Sequence, residues 1–338
     1  MSYPNVSVII PTVDRPAVRG AVASALNQTC PPLEIIVVVD SADHSIPPAL
    51  RDITDKIRLI FADGIGPGGA RMRGAAEAKG DIIAFLDDDD EWLPEKLERQ
   101  LAIWPTGPEL SAHTLVSCRL SIAEHDGGIP RILPPRLISA QERMPSYLFC
   151  RPSIAVSEGA LHTSTLMCDR ALIDVEPWDM SLYLHEDWDW LLRIGRRSDV
   201  TILMCPEALV RIAAADERSL SRSVVDWRQS LEWLEQRADQ LTPRERGDFL
   251  MYMTASIASR SGSRRGGFIA ARQALRYTRP SHTAWIIWGI HMLSPRLVDF
   301  AITLQHKVFE GKLRRTLARS SNVVRPRSAD LGRFCRAG

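Results

Sequence analysis

The chain has 338 residues, 45% of them hydrophobic and 25% charged, with a formal net charge of +1. This is the composition of a soluble globular protein with room for one large domain or two medium ones, and it gives no overall pull toward nucleic acid. The longest uncharged run, between Arg279 and Arg296, falls short of the roughly 20 residues of a spanning helix and contains Pro295. The six cysteines form no C-x-x-C pair, which predicts reduced thiols and no zinc site. A strand pattern begins at once at the N-terminus, leaving no room for a signal peptide, so a cytoplasmic protein is expected.

In chain order, Val6 to Ile10 is a first strand, Pro11 to Pro16 a loop, and Pro16 to about Gln28 a helix. Glu34 to Val39 is a second strand stopping at Asp40, and Ile57 to Phe61 a third. Gly64 to Gly69 reads as a flexible loop before a helix from Ala70 to Lys79, which Gly80 ends. The apolar run Ile82 to Leu86 then reads as a buried strand delivering four carboxylates, Asp87 to Asp90, with a helix from Pro94 to about Ile103 beyond. Strands alternating with helices predict βαβ units in a mainly parallel, doubly wound sheet. Such sheets bind ligands at the carboxyl ends of their strands, so Thr12, Asp40 and Asp87 should converge on one crevice.

The next stretch is less regular. Strands are expected at Thr114 to Leu120, Ser164 to Cys168, Thr201 to Met204 and Ala208 to Ile212, with loops over Ala123 to Ser146. Leu184 to Ile194 reads as a loop running into a helix stopped near Gly195. From Ser219 the periodicity turns helical: Val224 to Ala238, Pro243 to Ser259, Gly267 to Tyr277, and Ala284 to about Arg319 with a break at Pro295. The expected organisation is a catalytic domain over 1–219 (halves near 1–110 and 111–219), a helical region over 220–320, and a basic tail over 321–338.

Three motifs bear chemistry. Four adjacent carboxylates repel one another unless a cation sits among them, and hard oxygen ligands at a strand end suit Mg²⁺ or Mn²⁺ carrying phosphates. The alternative is a solvated acidic cap on the next helix. The glycine-rich stretch before Arg71 could approach a diphosphate, or be an ordinary turn; it follows the third strand with the wrong spacing for a dinucleotide fingerprint. Glu186-Asp187 either caps its helix or supplies a general base whose pKa nearby tryptophans raise. Asp189 and Arg193 are spaced for an ion pair on that helix's surface. Neither G-x-S-x-G nor G-x-x-x-x-G-K-[ST] occurs, which argues against a serine hydrolase and a P-loop NTPase.

Taken together, these motifs resemble the inverting nucleotide-sugar glycosyltransferases of the GT-A fold known as family 2. Val6 to Thr12 is similar to the family's S-V-I-I-P-T strand, Ala25 to Thr29 to its S-x-L-x-Q-T helix end, and Glu34 to Asp40 to its E-I-I-V-V-D-D strand. Gly69 to Gly74 resembles A-R-N-x-G, Ala84 to Asp90 carries D-x-D, and Glu186 to Arg193 resembles E-D-x-D-x-x-x-R. Val39 and Met72 depart from the pattern, and Ile212 to Leu220 holds no histidine.

The resemblance implies that Pro11, Thr12, Asp40, Arg71, Asp87 and Asp88 bind the nucleotide. It implies that Asp89 and Asp87 hold a divalent metal (Mn²⁺ or Mg²⁺), and that Asp187 is the base, with Glu186, Trp188 and Arg193 serving the acceptor or supporting the base. The implied reaction moves a sugar from a nucleotide diphosphate donor, a UDP-sugar by preference, to a saccharide or lipid-linked acceptor in cell-surface polysaccharide or glycolipid synthesis. The rival readings are a sugar-phosphate nucleotidylyltransferase and a non-catalytic nucleotide-sugar-binding module. The apolar stretch Ala284 to Ile290, followed by an arginine-rich segment, could lie at the inner membrane face or pack on the catalytic domain. No nucleic acid partner is expected.

Overall fold

The computed structural model describes residues 5–105, 112–123, 130–153, 159–212 and 226–293. Strand β1 (Val6–Thr12), helix α1 (Val18–Leu26), β2 (Glu34–Asp40), a 3₁₀ stretch (Pro48–Lys56), β3 (Arg58–Ala62), α2 (Gly66–Glu77) and β4 (Ile82–Phe85) build the first half. β1 pairs in parallel with β2 on one side and β4 on the other, and β3 extends the sheet beyond β2. The chain therefore winds outward from β1 in one direction and restarts at β4 in the other. This places a topological switch between the carboxyl ends of β1 and β4, where doubly wound sheets bind their ligands.

The helix after the glycine-rich stretch starts earlier than Ala70. Both Asp40 carboxylate oxygens accept backbone N–H bonds, from Ile65 and Gly66 at 2.8 Å each. Pro67 then sits in the first turn. A carboxylate at a helix start satisfies orphan donors and complements the dipole, so the glycines become helix rather than loop. Gly74 lets α2 lie close on the sheet: a Cβ there would stand 2.6 Å from Ile9 Cγ2.

The second half completes a mixed nine-stranded sheet. It contains β5 (Asp90–Trp92), α3 (Lys96–Ala102), β6 (His113–Ile122), β7 (Arg131–Leu133), α4 (Met144–Phe149), β8 (Met167–Asp169), α5 (Arg170–Val175), α6 (Glu186–Ile194) and β9 (Val200–Ile212). The end of the acidic run is a strand and not a loop: Asp90 and Trp92 both face inward and pair antiparallel with Ile212 and Val210. The two short strands expected near 201–212 are one strand, parallel to β6, and register shifts around Cys118 to Leu120 absorb its irregularity. The stretch expected as loops before Ser146 contains β7 and the start of α4. Residues 163–165 form a 3₁₀ turn ahead of β8.

The helical region comprises α7 (Trp227–Gln236), α8 (Pro243–Phe249), a π-turn (Leu250–Thr254), α9 (Ala255–Arg260), α10 (Arg264–Tyr277) and α11 (His282–Leu293). The expected break at Pro295, the stretch Ile212 to Leu220 beyond Ile212 itself, and the basic tail lie outside the described residues. Both faces of the sheet are covered. Val8, Ile10, Val37 and Val39 pack on one side with α1, while Ile9, Ile36, Val38 and Phe85 pack on the other. Each such buried side chain contributes about 1.5–3 kcal/mol. Trp233, Phe249, Ala270 and Ala284 belong to the same core as Phe85, Phe149 and Trp190, so the C-terminal helices share the core of the α/β part.

Candidate active site

The crevice at the switch holds the acidic run, and arginines divide it. Thr12 Oγ1 donates to Asp88 Oδ2 at 2.6 Å. Arg15 clamps Asp88 through Nε (3.1 Å) and Nη2 and reaches Asp89 Oδ2 through Nη1 at 3.1 Å. Burial holds the Asp88 carboxyl above its ordinary range in spite of Thr12 and Arg15. Asp87 turns the other way. Its Oδ1 accepts from Arg71 Nη2 at 2.7 Å, and its backbone N–H donates to Ser164 Oγ at 3.0 Å. Burial works to raise the Asp87 pKa, but Arg71, His162 and Arg15 outweigh it and hold the carboxyl below its usual value.

Arg71 is itself buried, with its guanidinium 5.1 Å above the Trp178 ring. Its Nε and Nη1 make no hydrogen bond, although Nη1 lies 3.6 Å from Glu186 Oε1. Unbonded buried donors on an arginine are costly and suit an anion brought by a ligand.

Beneath Asp87, Asp90 accepts from Ser164 Oγ at 2.5 Å and stands 3.5 Å from His162 Nδ1. Burial, with Asp87 next to it, pushes its carboxyl up to about 8. Asp87, Asp90 and His162 offer three donor atoms within 4.8 Å of one another. Two carboxylates and an imidazole form a donor set that could hold a divalent cation.

At the start of α6, Glu186 faces Arg71, and Asp187 stands beside it with Oδ1 accepting the Trp188 N–H at 2.8 Å. Burial, then the Glu186 charge, pushes Asp187 up to about 7. A carboxylate poised near neutrality is suited to accept a proton from a hydroxyl.

The structure thus brings together Thr12, Arg71, Asp87, Asp88, Asp89, Glu186 and Asp187. Pro11 lies within β1, paired with Val38, and Asp40 is occupied with the start of α2. Trp188 and Arg193 point elsewhere. Trp188 stacks on His185 and meets Phe149 and Phe249 edge-on. Arg193 binds Asp189 at 2.9 Å and the Pro177 carbonyl at 2.7 Å. The Asp189–Arg193 pair exists as spaced, but Asp189 is fully buried rather than on the surface, with Arg237 Nε 2.5 Å from its other oxygen.

Sequence reasoning does not single out Arg15 or His162, and it names Asp90 only as one of the four carboxylates of the acidic run. Arg15 stands in a loop between two prolines, and His162 ends an irregular stretch. Only the fold carries them to the crevice.

Comparison with known proteins agrees with this fold. Residues 7–128 match the model of glycosyl transferase family 2. The chain is similar to the amylovoran biosynthesis glycosyltransferase AmsB of Erwinia amylovora, 26% identical over 56% of this chain and 61% of the relative. It is 35% identical to the putative teichuronic acid biosynthesis glycosyltransferase TuaG of Bacillus subtilis, over 29% of this chain and 41% of that one. These matches span less than two thirds of either relative's length. A crystal structure of residues 1–349 of S. aureus TarS in complex with UDP-GlcNAc superposes with a TM-score of 0.52 at 18% identity, covering 80% of this chain and 79% of that TarS chain. That likeness shows the shared GT-A fold.

Proposed function

We propose, from the match of residues 7–128 to the glycosyl transferase family 2 model, that the chain is an inverting glycosyltransferase moving a sugar from a nucleotide diphosphate to an acceptor hydroxyl in cell-surface polysaccharide or glycolipid synthesis. The observation that carries this reading is the pairing, across one crevice, of a carboxylate poised near neutrality with a buried arginine whose Nε and Nη1 make no hydrogen bond. In this scheme Asp187 takes the proton of the acceptor hydroxyl as its oxygen attacks the anomeric carbon. The diphosphate departs on the opposite face, which inverts the centre. Arg71 offers Nε and Nη1 to the diphosphate oxygens. Thr12, Arg15 and Asp88 hold the nucleotide side of the crevice in place, so that donor and acceptor meet in line and the entropic part of the barrier falls.

A bound divalent cation would neutralise charge growing on the leaving diphosphate. Asp87 would hold it, with Asp90 and His162 as the nearest further donors; Asp89, expected from the resemblance, joins only if its ion pair with Arg15 opens. UDP is the favoured nucleotide, and TarS has been crystallised with UDP-GlcNAc. Calorimetric titration with UDP, GDP, dTDP and CDP, first with Mn²⁺ and then with EDTA, tests the reading. One diphosphate should bind in the presence of metal and lose that binding on chelation. Binding of none would defeat it. His162→Ala and Asp89→Ala then tell the two ligand sets apart.

The acceptor is a saccharide or a lipid-linked saccharide, and the C-terminal helices favour the second. From Phe249 to Val298 the sequence has no Asp or Glu. Arg264, Arg265, Arg272 and Arg276 are exposed on α10 beside Phe268 and Leu275, and Trp285 and Ile286 are exposed on α11. No helix among the described residues is long and apolar enough to cross a membrane. A basic face with exposed aromatics fits peripheral contact with anionic lipid. Flotation with phosphatidylglycerol vesicles should fail for a chain carrying Phe268→Ser and Trp285→Ser.

A further inference from the structure

His185 immediately precedes the Glu186-Asp187 pair, and its backbone is left-handed, with φ at +62°. That conformation is uncommon for a residue with a side chain and needs surrounding structure to hold it. Four contacts do so. The imidazole Nε2 is hydrogen-bonded to Ser230 Oγ of α7 at 2.8 Å. The ring stacks on Trp188 at 4.8 Å and 6°, and it packs against Trp233 and Phe249. His185 and Ser230 are both buried, and Thr254 Oγ1 of the π-turn donates to Ser230 Oγ at 3.3 Å. Burial pushes the imidazole down to about 3, so the ring stays neutral and is no rival to Asp187 as base.

Beyond the turn, the His185 carbonyl accepts the Asp189 N–H at 2.8 Å, the first bond of α6. The left-handed residue sets the direction in which α6 begins, and so where Glu186 and Asp187 project. Arg237, which follows α7 directly, ties α6 a second time through Asp189.

We propose that His185 is a positioning residue through which the C-terminal helical region, by way of Ser230, holds the Glu186-Asp187 turn in the orientation that proton removal requires. This rests on Asp187 being the base. It gives the helices a part in the chemistry without touching substrate, since a misplacement of about 1 Å at a reacting group can cost roughly 100-fold in rate.

The test uses the full chain with Ser230→Ala, which removes one hydroxyl, and with His185→Gly and His185→Asn. Glycine keeps the left-handed backbone without a ring; asparagine tolerates that conformation and returns a side-chain amide. Two readouts are taken: amide hydrogen exchange over 186–191, and turnover of UDP-glucose and UDP-GlcNAc with Mn²⁺ and water as acceptor. Ser230→Ala and His185→Gly should exchange about tenfold faster over 186–191 with α10 protection unchanged. Their kcat should fall at least about tenfold with donor KM unchanged, and His185→Asn should recover part of both. Unchanged exchange in Ser230→Ala, or faster exchange with unchanged kcat, would overturn the proposal. A wild-type chain that turns over neither donor counts against the transferase reading, while the exchange data still decide whether the tie holds the turn.

Discussion

Two sets of carboxylates in this molecule are clamped by arginines, about 100 residues apart in sequence. Around Asp189 each acidic oxygen has a guanidinium partner: Arg193 Nε on Oδ2 and Arg237 Nε on Oδ1. Arg193 is itself bonded further, to Glu176 and the Pro177 carbonyl. Around Asp87 the pairing is incomplete. Arg71 is as buried as a core residue yet leaves Nε and Nη1 unbonded, and Asp90 and Asp187 are pushed up to about 8 and 7. Buried polar groups ordinarily find partners, and a cluster with perturbed carboxyls and unbonded guanidinium nitrogens is a candidate functional site. The same residue types therefore build architecture around Asp189 and a candidate active site around Asp87 and Asp187.

Exchanging one carboxylate at a time separates the two sets. The largest effect is expected at Asp187→Asn. It keeps the shape and removes the base, so turnover should fall by about 10²–10⁴-fold. UDP affinity by calorimetry and the melting temperature should stay near wild type, and transfer at the wild-type rate would end the base assignment. Asp189→Asn should do the reverse. It strips the charge from between two largely buried arginines, and breaking a buried pair of this kind costs about 3–5 kcal/mol of stability. Urea unfolding should show that loss, while UDP affinity measured on the folded fraction is retained. If Asp189→Asn unfolds like wild type, the network is not the brace described here.

The two regions were not equally legible. The switch-point crevice follows from elements the sequence announces by pattern alone. The apolar runs of β1, β2 and β4 each end at a polar residue, and the order strand, helix, strand places Thr12 and Asp87 together. The resemblance adds the pairing of Asp187 with that crevice. What sequence could not deliver are contacts made at long range without periodicity. Arg15 reaches Asp88 and Asp89 across more than 70 residues. His162 approaches Asp90 from a stretch with no helical or strand period. Asp189, spaced for a surface pair, is buried and bonded to Arg237 just beyond α7, and nothing in Asp189 to Arg193 itself announces that partner. The glycine-rich stretch misled for a local reason, since Asp40, distant in sequence, caps the helix that absorbs it.

The smallest expected effect is also the most discriminating, because it separates burial from charge as the source of the Asp187 pKa. A base must be ionised to act, so with its carboxyl near 7 the rate constant kcat/KM should rise as pH climbs from about 6 to 8 and level off above, falling about tenfold per unit on the acid side. Glu186 supplies the second cause of the shift, after burial, by like-charge repulsion. Glu186→Gln should therefore move the acid limb to lower pH without carrying it back to the ordinary carboxylate range, because burial remains. Asp90 is also pushed up, so it could write a limb of its own. It faces Asp87, Ser164 and His162 rather than the start of α6. In the variant Asp90→Asn the limb assigned to Asp187 should therefore persist. A limb that ignores Glu186→Gln but vanishes with Asp90→Asn would move the titrating group from α6 to the crevice floor, and the base with it.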